Sequence, residues 1–99
     1  MSPAELLKQP QCPKHLSPAI QALWLAHKDE WDAAHQLVQR STGGDEAWVH
    51  AHLHRTEGDH SNAAYWYARA GRQPCQLSIR EEQEQIIAEI FRRISHTPK

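Results

Sequence analysis

Along most of this chain apolar residues recur three and four positions apart, and no stretch sustains a two-residue alternation of apolar and polar side chains. That periodicity belongs to helices rather than strands. Ala19, Ile20, Leu23, Trp24, Ala26 and His27 make one helical stripe, and Ala33, Ala34, Leu37 and Val38, with Trp31 at the edge, make a second. A third helix is predicted over 46–57. In a fourth, Ala63, Ala64, Tyr67, Ala68 and Ala70 share a face opposite Asn62, Tyr65 and Arg69. The most regular amphipathic stretch comes last: Ile79, Ile86, Ile87, Ile90, Phe91 and Ile94 lie on one arc. The pattern predicts an all-α chain.

Capping and breaking residues divide that pattern. Ser2-Pro3-Ala4-Glu5 has the serine, proline and glutamate order of a helix start, and Pro10 stops whatever it begins. Residues 1–16 therefore read as an N-terminal arm with a short helix. Ser17-Pro18 repeats the start signal, Asp29 is expected to cap the next helix, and Ser41-Thr42-Gly43-Gly44 is the clearest break. Asp45 is expected to cap the third helix. Gly58-Asp59 reads as one helix stopping and another starting. Gly71 to Pro74 closes the fourth helix, and Ser78 with Glu81 forms a capping box for the last. One domain results, with helix hairpins at 17–41 and 45–71 and a C-terminal helix at 77–96.

Shifting the chain by thirty positions pairs Leu23 with Leu53, Asp29 with Asp59, Ala33 with Ala63 and Ala34 with Ala64. A repeat at such a period signals stacked supersecondary units. Within the second unit, Ala63, Trp66, Tyr67, Arg69 and Ala70 fit the pattern A-x-x-W-Y-x-K-A, with Arg for Lys. The run resembles the second helix of a tetratricopeptide-like repeat of the Sel type. The first helix of each hairpin lacks that family's Leu-Gly and Tyr positions, and both hairpins are shorter than its usual unit. The resemblance implies two stacked antiparallel hairpins, in a right-handed superhelix or small bundle. Two such units need a cap, so the 78–95 helix is expected to lay its isoleucines over the second hairpin. An arc too wide for one neighbour would favour a homodimer.

Composition narrows the function. In 99 residues, 39% apolar and 23% charged, the core is modest. A net charge of −1 argues against nucleic-acid binding, which needs a basic surface. No apolar run approaches the roughly 20 residues that span a bilayer, and the N-terminus lacks the pattern of a secretion signal, so a cytoplasmic chain without a membrane role is expected. Cys12 and Cys75, in no CxxC spacing, are then expected to be reduced loop residues; a disulfide would tie the arm to the last connection.

No P-loop, dinucleotide turn or nucleophile elbow occurs, so catalysis is not expected. Two constellations remain. Asn62, Tyr65 and Arg69 form one strip with Arg55 and Trp66 beside it, suited to holding a protein or peptide. The other rests on an unusual count of eight histidines. His50 and His54, four apart, share a helical face and could hold zinc or another divalent transition metal, with Glu57 adding a carboxylate. The bland alternative is a pair of interhelical hydrogen-bonding side chains. The leading expectation is a non-catalytic helical-repeat module that binds a protein or peptide. Its alternatives are a metal-binding helical domain and a structural subunit docking through the 78–95 helix.

Overall fold

Four of the start signals act as their sequence positions predict. Ser2 accepts the Glu5 amide at 3.1 Å while its own amide bonds the Glu5 carboxylate at 2.9 Å. Ser17 accepts from Ile20, Asp59 from Asn62, and Ser78 exchanges two hydrogen bonds with Glu81. The resulting helices are α1 (Pro3–Leu7), α2 (Pro18–His27), α3 (Trp31–Val38), α4 (Gly44–Thr56), α5 (His60–Arg69) and α6 (Ile79–Ser95). This computed structural model describes residues 1–95, and every regular element among them is helical. The architecture is a small all-α bundle. No described helix is long and apolar enough to cross a membrane. Cys12 and Cys75 are both free and half-buried.

Two expected caps are not caps. Asp29 takes a left-handed backbone (φ 67°) beyond the end of α2, and α3 starts after Glu30, which makes no side-chain cap. Asp45 lies inside α4, whose N-cap is Gly43, and pairs with Arg93 of α6 at 2.5 Å. The reason for the first correction is visible in the turns. The Asp29 amide reaches the Ala26 carbonyl and the Glu30 amide reaches Leu25, just as Gly58 reaches Arg55 and Asp59 reaches His54. Asp29 thus does the work of Gly58 (φ 84°), 29 positions later. Asp tolerates that backbone better than most residues, though less well than glycine. At this offset buried residues match: Ala22 with Ala51, Ala34 with Ala63, Val38 with Tyr67. A thirty-residue shift turns the second helix by about 100°. That is why Ala64 is exposed and Ala33 only half-buried.

The packing is organised around α4. From Ala47 to His54 every residue of this helix is buried, because α2, α3, α5 and α6 all lie against it. Such a helix is normally apolar all round. This one carries His50, His52 and His54, so each imidazole has to find a partner inside the protein. The α6 face meets α4 as expected, but it also covers α1. Ile86, Ile87 and Ile90 are buried there with Leu6 and Leu7, each worth roughly 1.5–3 kcal/mol of transfer free energy. Leu6 and Leu7 of the short N-terminal helix therefore belong to the core. Trp24 Nε1–H binds the Gln9 carbonyl at 3.0 Å and Gln21 binds the Leu16 carbonyl at 2.7 Å, which pins residues 9–16 across α2. At the ends of α6, Leu77, Ile79 and Ile94 stay exposed.

Candidate functional site

The 3.6-residue turn of α4 sends His52 to one side and His50 with His54 to the other. On the first side His52 Nδ1–H donates to Glu82 of α6 at 2.6 Å. Glu82 is fully buried, and the same Oε1 accepts from Arg55 at 3.0 Å. Its second oxygen accepts from the Tyr67 hydroxyl of α5. Burial alone would raise the Glu82 pKa, but the His52 bond, then those of Tyr67 and Arg55, outweigh it and hold the carboxyl below its ordinary value. Tyr67 shifts far upward, through burial first and the Glu82 bond second. Arg55 also donates to the Leu77 carbonyl. Three helices are thereby tied by one ionised carboxylate, a structural arrangement in which a charge-assisted network replaces water.

On the second side α3 contributes His35, absent from the expected ligand set. Its Nε2 lies 3.0 Å from Nε2 of His50. His50 stacks on His54 with ring centroids 4.9 Å apart, and one ring nitrogen from each of His35, His50 and His54 lies within 4.8 Å of the others. Two tryptophans wall the trio. Trp31 stacks on His35 at 4.8 Å while its Nε1–H holds the Leu53 carbonyl at 2.8 Å. Trp66 of α5 stacks on His50 at 3.9 Å. Glu57 meets this cluster at its edge, where its carboxylate accepts His54 Nδ1–H at 2.6 Å. Glu57 also lies with His54 and Asp59 in a second convergent group.

Burial lowers the His50 pKa to about 4, helped by the neighbouring His35 and His54. His35 is lowered too, by burial and then His54, against the opposing pull of Glu57 and Asp32. Both rings are neutral at pH 7. A neutral imidazole offers one donor and one acceptor. His50 spends one nitrogen on His35, and its buried Nδ1 has no hydrogen-bond partner.

The expected partner strip divides. Tyr65 and Arg69 lie on the outer face of α5, with the Arg69 guanidinium 5.8 Å from the Tyr65 ring centroid and 5.5 Å from that of Trp66. Asn62 lies at the start of the same helix and bonds Asp59 at 3.3 Å. Trp66 is half-buried, edge-on to Tyr65 and flat on His50, so it joins the strip to the histidines. Arg55 does not belong to the strip. It turns inward to Glu82 and lines a cavity of about 450 Å³ with His60, Ala63, Ala64, Tyr67, Pro74, Cys75 and Gln76.

Two residues of these clusters escape the periodicity. His35 is four positions after Trp31, so the two rings share a face next to the buried Ala34, and that spacing is the available signal. Glu82 follows Ile79 by three and precedes Ile86 by four, which puts a charge within an apolar stripe and so implies a buried partner. Comparison with known protein families, with curated proteins and with solved structures finds no match.

Proposed function

We propose that this protein is a non-catalytic helical module, repeat-like in its two matched hairpins, that binds a protein or peptide through the outer face of α5. Tyr65 carries the reading. It is a large ring left 55% exposed, yet it is already braced edge-on by Trp66 and overhung by Arg69. A side chain fixed before docking loses little rotamer freedom on binding. Tyr, Trp and Arg are also the residue types that dominate interface energetics. The likeness of Ala63–Ala70 to the second helix of tetratricopeptide-like repeats supports the same role, since such arrays present surfaces to extended partners. Asn62, at the start of the helix, adds an amide that can match a peptide group once it leaves Asp59.

A photo-crosslinking residue in place of Tyr65, introduced in cells, tests this. A discrete adduct that disappears in the Arg69→Glu variant is the expected result. The same probe at the exposed Gln85 of α6 should give none. If Tyr65 and Gln85 give the same products, or Tyr65 gives none, the α5 face is not a docking surface. Capture from the Ile94 position alone would instead favour a subunit docking through α6, and capture of a second copy would identify a homodimer.

A further inference from the structure

Three imidazoles converge inside the bundle, with one ring nitrogen of each within 4.8 Å of the others. We propose that His35, His50 and His54 form a binding site for one divalent transition-metal ion, zinc foremost. This goes beyond partner binding and does not depend on it, because neither Tyr65 nor Arg69 is a ligand.

The geometry is close to what an ion requires. Zinc–imidazole bonds are about 2.0–2.1 Å, which sets two nitrogens on one tetrahedral ion roughly 3.3 Å apart. The facing nitrogens of His35 and His50 are 3.0 Å apart, and the three rings bring ligand atoms within 4.8 Å. Small side-chain rotations close the remainder, and the hydrogen between the two facing nitrogens passes to Nδ1 of the ring that carried it, so that both Nε2 lone pairs would face the ion. Glu57 acts one step outside. By accepting Nδ1–H of His54 it fixes the tautomer and leaves Nε2 with its lone pair free, the usual carboxylate–histidine support of a metal ligand.

Unmatched nitrogens occur on both sides of α4, at His50 Nδ1 and at His52 Nε2. In either tautomer His50 keeps one buried nitrogen unmatched, since Nδ1 has no partner. A buried polar atom without a partner costs about 1–3 kcal/mol. What sets the trio apart is that three ring nitrogens converge within 4.8 Å of one another, whereas His52 faces a carboxylate.

Imidazole ligands select transition ions such as zinc, nickel or copper over magnesium and calcium, which prefer oxygen. Trp31 and Trp66 shield two sides, and three protein ligands leave a fourth position for water or another donor. His35 is on α3 whereas His50 and His54 are on α4. The ion would therefore cross-link the two hairpins.

The test is calorimetric titration of the chelator-treated full chain with zinc chloride and, separately, magnesium chloride at pH 7.5. One zinc per chain is expected, without magnesium binding, and with a melting temperature that rises with zinc concentration. His35→Ala, His50→Ala and His54→Ala should each weaken zinc by on the order of a hundredfold, and Glu57→Gln by roughly tenfold. His60→Ala, an exposed control on α5, should leave it unchanged. Cobalt(II) on the wild-type chain guards against variants that misfold, since a nitrogen-ligated tetrahedral site gives an intense visible band. Absence of stoichiometric zinc and of that band in the folded wild type overturns the site. So does zinc affinity that survives the loss of both His35 and His50. Neither result bears on crosslinking at Tyr65, which tests the partner surface alone.

Discussion

The two sides of α4 put the same residue type to opposite uses. Facing α6, His52 meets an ionised, fully buried Glu82 that also draws Arg55 and Tyr67, so charge is matched by charge. Facing α3 and α5, His50 and His54 meet only another histidine and two tryptophans, with Glu57 reaching the outer ring alone. Each cluster leaves one buried ring nitrogen unmatched, Nε2 of His52 and Nδ1 of His50, so what differs is the partner of the other nitrogen: a carboxylate for His52, a second imidazole for His50. Between His52 and His50 the difference is thus whether a carboxylate or another imidazole lies within hydrogen-bond reach, not burial.

The largest expected effect comes from removing that charge. Glu82→Ala leaves Arg55 and Tyr67 without their acceptor and should cost about 3–5 kcal/mol in urea unfolding, as for a broken buried pair. A cost below about 1 kcal/mol would mean the cluster is not where α6 is anchored.

Acid separates the two sides next. The folded pKa of His50 is about 4, below the ordinary 6.5, so only the unfolded chain takes up its proton between those values. Its share of stability is complete above pH 6.5 and drains as pH falls towards 4, by as much as about 3 kcal/mol; His35 is lowered in the same direction. Glu82, also lowered, loses its share only below its unfolded pKa of 4.5. Stability against pH should therefore fall in two stages. His50→Leu should remove much of the upper one and spare the lower.

Exchanging single histidines sharpens the contrast further. His52→Leu strips a donor from a buried carboxylate and should destabilise by about 1–3 kcal/mol at pH 7. His50→Leu breaks a bond to another imidazole rather than one to a buried carboxylate and should change metal-free stability by about 1 kcal/mol or less. Equal losses at the two positions would erase the distinction between the faces. Smallest of all, Arg69→Ala on the outer surface of α5 should shift stability by under about 0.5 kcal/mol while still weakening partner capture.

Much of this was legible beforehand where the cause is local. Caps at Ser2, Ser17, Asp59 and Ser78 depend on residues three positions away, and sequence contains both members of each pair. His50, His54 and Glu57 lie within two turns of one another on neighbouring positions, so their convergence followed from helix geometry. Asp29 misled because Asp serves both as an N-cap and in a left-handed turn, and the residues that choose between those roles are the helices it joins. Arg55 misled because its long side chain reaches Glu82, 27 positions away, instead of the strip.

Alone, the sequence determined that the chain is helical, where most helices begin and end, and which residues share a helical face, since those follow from spacing and capping within a few residues. Only the packed structure decided that α4 is enclosed by its neighbours, that His35 completes the trio, and that Glu82 is the charge at the centre of the other cluster. These facts rest on contacts between distant parts of the chain. The rotation of one helix against another sets such contacts, and a difference of one residue in register, 29 rather than thirty, is enough to exchange an inward side chain for an outward one.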